Sequence, residues 1–197
     1  IWQKAVDRPD SVLLFIQVND STTASVTLSG NLDSNFYSPG RLAISIANKP
    51  VQEMQVTKNT TIWVEGQQHP FVKFDDINFD GSRDIQLFDN AGVVNFWYST
   101  WLYIPAKGFV FNEDYSNTPS PKILPDAKRL MSYYRFGMCD ETIGFFAVEK
   151  DTLRPVKYYI TSPENCISTK KELINGKWEE TNLGQWEISI YDSLYYQ

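Results

Sequence analysis

Residues 168–181 read STKKELINGKWEET, and this stretch decides the fold class. Asn175-Gly176 supplies the two φ > 0 positions of a tight type I′ turn, and short runs of strand length, 168–174 and 177–181, flank it. A two-residue turn of this kind joins antiparallel neighbours. Upstream, 144–150 and 154–161 flank the turn-like Asp151-Thr152-Leu153. Downstream, Asn182-Leu183-Gly184 separates the hairpin from a further strand-like run, 185–191. The C-terminal third is therefore expected to be an up-and-down antiparallel meander.

The same period of two recurs toward the N-terminus. Residues 11–19, 24–29, 41–47 and 52–58 are rich in Val, Ile, Leu and Thr and are broken by Asn, Asp, Ser, Gly and Pro. In Leu42-Ala43-Ile44-Ser45-Ile46 the large apolar groups fall on alternate positions, as one buried face of a strand requires. Helix is scarce: 121–132 has room for a turn or two around Asp126-Ala127-Lys128-Arg129. Residues 112–125, with Pro119, Pro121 and Pro125, read as a loop. The expected fold is all-β, with antiparallel sheets in a sandwich or an incomplete propeller-like arrangement and little helix. One domain spans 1–197, with a possible subdivision into 1–111 and 126–197. No internal repeat of fixed period is present.

A net charge of −6 and a pI near 4.8 argue against nucleic acid, whose phosphates require a clustered basic surface. No segment approaches the roughly 20 consecutive apolar residues of a membrane helix. The chain begins at Ile1 rather than Met, which points to a removed upstream segment; a cleaved signal peptide and a merely shortened N-terminus would look alike, and on the first reading the protein is periplasmic, extracellular or surface-attached. Cys139 and Cys166 are the two cysteines, and an even pair in such a chain suggests one disulfide. Two buried thiols in a reducing cell are the alternative. Oligomeric state is not legible in the sequence.

The chemistry-bearing segment is Asp76-Ile77-Asn78-Phe79-Asp80-Gly81-Ser82-Arg83-Asp84, a match to the calcium pattern D-x-N-x-D-G-x-x-D. Calcium takes six to eight hard oxygen ligands at about 2.3–2.6 Å, so oxygens must converge from one short segment. Asp76, Asn78 and Asp80 occupy positions one, three and five, and Gly81 at position six permits the sharp turn. Ser82 would give its backbone carbonyl, and Asp84 closes the loop directly or through water. The glycine also fixes the register within Asp75-Asp76, leaving Asp75 outside the shell. Position twelve is Leu87, not the Glu of a helical EF-hand, so water or a residue such as Asp89 would complete the shell. The flanks 70–74 and 84–88 alternate like strands. The metal expected is a structural Ca²⁺; a metal-free acidic hairpin turn is the plain alternative. The segment resembles the strand-flanked calcium turns of integrin-type β-propeller repeats, whose signature runs here as Phe74, Asp76, Asn78, Asp80, Gly81, Asp84 and Ile85.

Other candidates weigh less. His69, the single histidine, precedes Pro70 in a polar loop, and no G-x-S-x-G elbow accompanies it. Glu141, Glu149 and Glu187 are candidate carboxylates for a glycosidase pair, but no motif surrounds them, and no enzyme is expected. The aromatic run 96–103, FWYSTWLY, reads as a central strand covered on both faces, with a carbohydrate groove as the alternative. Tyr133-Tyr134, Tyr158-Tyr159 and Tyr195-Tyr196 read as strand pairs with one ring in and one out. Asn19 and Asn59 head glycosylation sequons.

In 74–88, 92–111 and Gly144-Phe145-Phe146-Ala147-Val148-Glu149 the chain resembles periplasmic immunity proteins that protect bacteria armed with type IV secretion from lysozyme-like muramidase effectors. This resemblance implies an exported calcium-loop β-protein that blocks a peptidoglycan hydrolase by occupying its cleft. It extends over roughly the last two-thirds of the chain. The Ser-Gly…Tyr loop of some lysozyme inhibitors has only a loose echo in Ser29-Gly30 and Tyr37, so no inhibitory residue is carried over. A calcium-stabilised carbohydrate- or cell-surface-binding module without a hydrolase partner is the alternative function.

Overall fold

The computed structural model describes residues 11–33, 36–47, 49–56, 62–63, 72–92 and 94–185. Strands dominate, in three antiparallel sheets, as the alternation of apolar and polar residues predicts. The chain divides into two compact units, 1–90 with 98–113, and 91–97 with 114–197.

In the first unit, β1 (Ser11–Asn19), β2 (Thr22–Asp33), β3 (Phe36–Ile46) and β4 (Gln52–Gln55) pair in sequence order, and β5 (Ile62–Trp63) also pairs with β3. The second sheet runs β6 (Val72–Lys73), β7 (Ile85–Ala91), β8 (Phe96–Ile104) and β9 (Gly108–Phe111). Alternate residues of the first sheet, Val26 and Leu28 on β2 and Leu42 and Ile44 on β3 among them, share one core with Ile85, Leu87, Trp101, Tyr103 and Phe109 of the second. That is a sandwich, in which each sheet buries its apolar face against the other. From Thr100 to Tyr103 every residue of β8 is buried, so the aromatic strand is covered on both faces there.

The second unit holds β10 (Lys122–Leu124), β11 (Arg129–Arg135), β12 (Glu141–Glu149), β13 (Thr152–Thr161), β14 (Ile167–Ile174) and β15 (Lys177–Gln185), paired strictly in order. This is the expected meander. Asn175 and Gly176 stand at φ 50° and 78°, the two left-handed positions of the tight turn. Met131, Tyr133 and Ile143 form a small buried cluster, with Phe145 and Tyr159 packed on it.

Local departures have local causes. The 112–125 segment is not all loop: Glu113–Ser116 makes one helical turn and Lys122–Leu124 pairs with β11. Pro119 and Pro121 fall between these two pieces and break neither. The expected turn near 126 is a 3₁₀ turn, Pro125–Ala127, opened by proline and ended by Lys128 at φ 47°. The turn before β13 is Lys150-Asp151, one residue earlier than the composition indicates, with Lys150 at φ 61°. Asn182-Leu183-Gly184 does not end the strand. Ser168 pairs with Gly184 and Thr169 with Asn182, so Leu183 is extra and the break is a bulge inside β15. Residues 186–191 lie outside the described residues, as do His69, Glu187, the Asn59 sequon and Tyr195-Tyr196.

Cys139 and Cys166 are joined in a disulfide with Cα atoms 5.0 Å apart. It ties the β11–β12 turn to the β13–β14 turn across a sequence separation of 27 residues. Closing a loop of that length restricts the unfolded chain, worth about 3.5 kcal/mol. Replacing both cysteines with serine should therefore lower the unfolding free energy by about that amount in urea titrations, and a dithiol reductant should reproduce the shift in the unaltered protein.

Candidate functional site

The acidic segment is a hairpin loop between β6 and β7, which pair antiparallel through Val72 with Leu87 and Lys73 with Gln86. Its curl is held by its own acidic and amide side chains. Asp76 accepts the backbone N–H of Asp80 at 3.0 Å through Oδ1 and that of Gly81 at 2.9 Å through Oδ2. Asn78 Oδ1 accepts Asp80 N–H at 3.3 Å, and its Nδ2 donates to Asp80 Oδ2 at 3.1 Å. Asp80 Oδ1 in turn accepts Ser82 N–H at 2.8 Å. Such side-chain-to-backbone bonds are what make Asp and Asn turn residues. Gly81 sits at φ 89° with open space where a Cβ would stand, so the requirement for glycine is conformational rather than steric.

Asp84 is different in kind. It is fully buried, and its two carboxylate oxygens accept backbone N–H groups from opposite sides, Ile77 at 3.0 Å and Tyr103 at 2.8 Å. One side chain thereby fastens the start of the loop to strand β8. The backbone adds two more ties, Asp84 N–H to Asp75 O at 2.8 Å and Arg83 N–H to Val18 O at 2.7 Å. Burial pushes the Asp84 carboxyl up to about 7; the two N–H donors oppose this, and the nearby Asp80 and Asp76 charges add to it.

Asp75 is exposed, and Leu87, at loop position twelve, is core. Asp89 is buried in β7. Among the described residues, no group of three or more His, Cys, Asp or Glu side chains stands in metal-holding geometry. Any cation here would draw on Asn78, the Ser82 carbonyl and water beside the carboxylates.

Of the glycosidase candidates, Glu141 and Glu149 stand at opposite ends of β12 and are not brought together. Glu141 is buried and accepts the Tyr133 hydroxyl at 3.1 Å, whereas Glu149 is exposed and pairs with Arg154 at 2.6 Å. Burial, then the Glu141 charge and hydrogen bond, push the Tyr133 phenol up to about 12, so it stays a donor at neutral pH. Tyr133 is buried and Tyr134 exposed, one in and one out, while Tyr158 and Tyr159 are both half-buried. Ser29 and Gly30 lie in β2, opposite Arg41 and Pro39.

The position of Asp84 sets a pH dependence. A carboxyl raised from 3.8 to about 7 by folding keeps its proton where the unfolded chain has released it. Its contribution is thus complete below about pH 4 and lost as pH rises through about 7. In chelator, the denaturation midpoint should fall over that window, and Asp84→Asn should remove that component of the slope.

No protein-family model matches the chain, and no curated protein matches its sequence. Among solved structures, a Xanthomonas type IV secretion system related protein superposes with a TM-score of 0.65 at 13% sequence identity, over 91% of this chain and 97% of that one. At that identity the likeness is one of fold: the chain shares the architecture of that protein along nearly the whole length of both.

Proposed function

We propose that this chain is an exported, non-enzymatic binding protein that inhibits a lysozyme-like peptidoglycan hydrolase by occupying its cleft. The observation that carries the reading is the end-to-end likeness of fold to a type IV secretion system related protein. It agrees with the sequence resemblance of 74–88, 92–111 and 144–149 to immunity proteins of that setting. The Cys139–Cys166 disulfide adds a compartment argument, since such bonds persist where the surroundings are oxidising. Among the described residues no helix is long and apolar enough to cross a membrane. A rigid β scaffold carrying exposed turns is the kind of body that inhibitors use to present a binding loop.

In the same reading the 76–84 loop holds a structural calcium ion. Asp76, Asn78 and Asp80 gather hard oxygens on one turn, and each carboxylate oxygen keeps a lone pair beyond its N–H bond. The Ser82 carbonyl and Asp84 complete the protein's share. The cation would offset the mutual repulsion of three carboxylates and stiffen the β6–β7 hairpin, with no part in chemistry.

A second reading, a carbohydrate-binding module, draws on one feature. Phe146, Tyr158 and Trp178 form a row of rings, with centroids 6.0 and 5.7 Å apart, ending on exposed Trp178.

Purified protein mixed with animal and phage lysozymes should slow the clearing of peptidoglycan suspensions by at least one of them. Unimpeded clearing by all, with binding on a glycan array, favours the second reading, and peptidoglycan turnover by the protein alone contradicts both. For the ion, calcium should raise the melting temperature of the unaltered protein, and Asp80→Ala should abolish that response. Equal melting in calcium and in excess chelator contradicts the site.

A further inference from the structure

Among the described residues, the β11–β12 turn carries the two most exposed large apolar side chains of the second unit, Phe136 at 80% and Met138 at 76% exposure, separated only by Gly137. Scattered apolar residues on a surface need no explanation, but two adjoining ones at the tip of a turn form a continuous apolar patch of the kind that marks an interaction site. The turn is also held by hydrogen bonds and a disulfide. Phe136 N–H donates to Asp140 O at 2.8 Å and Arg135 Nε to Gly137 O at 2.9 Å. Cys139, between Met138 and Asp140, is buried and bonded to Cys166. At the base of the turn, Asn95 treats Arg135 as a strand partner would: its Oδ1 accepts Arg135 N–H at 2.8 Å, and its Nδ2 donates to Arg135 O at 2.7 Å. Tyr133 and Glu141 close the same end by a buried hydrogen bond.

We infer that the Phe136-Gly137-Met138 tip is the anchor that enters the cleft of the partner hydrolase. This rests on the reading above that the partner is such an enzyme. A convex, pre-stiffened tip loses little freedom on docking, so most of its apolar burial is available as affinity. Its shape fits a concave, largely apolar pocket. Charge selects the same occupant. A hydrolase that grips an anionic cell-wall polymer presents a basic cleft rim. Asp140 at the base of the tip and exposed Glu164, in the turn fastened to it by the disulfide, outnumber Arg135, whose Nε is held on Gly137 O, and the whole chain is at −6. The same net charge disfavours an anionic lipid surface.

The test compares the unaltered protein, the Phe136→Ser/Met138→Ser double variant, and Phe15→Ser, which removes a 64%-exposed ring from the first unit. Each is titrated against purified animal and phage lysozymes in a peptidoglycan-clearing assay, with denaturation midpoints recorded. Against the enzyme that the unaltered protein blocks, the double variant should be weaker by about tenfold or more at an unchanged midpoint, and Phe15→Ser should match the unaltered protein. Equal potency of the double variant overturns the tip as anchor and leaves the hydrolase reading standing. If the unaltered protein blocks none of the enzymes, that reading fails and this inference falls with it. Two further results overturn it, each when lost on Phe136→Ser/Met138→Ser with inhibition intact: self-association in sedimentation, or flotation with phosphatidylcholine–phosphatidylglycerol vesicles.

Discussion

A single buried carboxylate governs the geometry of the acidic loop. Asp84 reaches back to Ile77 N–H and across to Tyr103 N–H, so the hairpin between β6 and β7 cannot swing away from β8 without stranding two buried donors and a buried carboxyl group. Leaving such groups unpaired costs on the order of 1–3 kcal/mol each. Everything nearer the solvent depends on this anchor: Ile77 is driven into the interior beside it, which leaves Asp76, Asn78 and Asp80 to fold over the loop's own amides. The loop thus has two layers, an inner carboxylate that fixes where it sits and an outer set of oxygens that fixes how it curls. A cation at the outer layer would reinforce an arrangement the backbone already favours.

The fold was legible because its signals are local. Asn175-Gly176 specifies its own turn, and alternation such as Leu42-Ala43-Ile44-Ser45-Ile46 specifies a buried face without knowledge of the partner sheet. What the sequence misplaced depends on pairing. Whether Leu183 ends a strand or bulges out of one is decided by Ser168 and Thr169 on the neighbouring strand, and Pro155 is accommodated opposite Phe146 only because the β12–β13 register shifts there. The one-turn helix at Glu113–Ser116 lacks the apolar periodicity by which longer helices announce themselves.

The acidic loop was legible through chemistry as well as locality: its residue types are specialised and closely spaced. The sequence identified Asp84 as part of it but not its inward role, because Tyr103 is 19 residues away and offers only a backbone N–H, which no motif records. The Phe136–Met138 tip was not legible at all. Apolar residues beside a cysteine read as core, and only the hairpin geometry, with Cys139 turned in and its neighbours turned out, shows otherwise. The signal that was present is the pairing of a Gly-centred turn with a cysteine, which marks a stiffened turn without saying what it displays.

Amide hydrogen exchange at Tyr103 and Ile77 tests the account most directly. If Asp84 fastens the loop to β8, both amides exchange slowly in the unaltered protein, and in Asp84→Ala both accelerate together while core amides of the β2–β3 pair keep their protection. Fast exchange at both positions in the unaltered protein, or protection that survives Asp84→Ala, contradicts it.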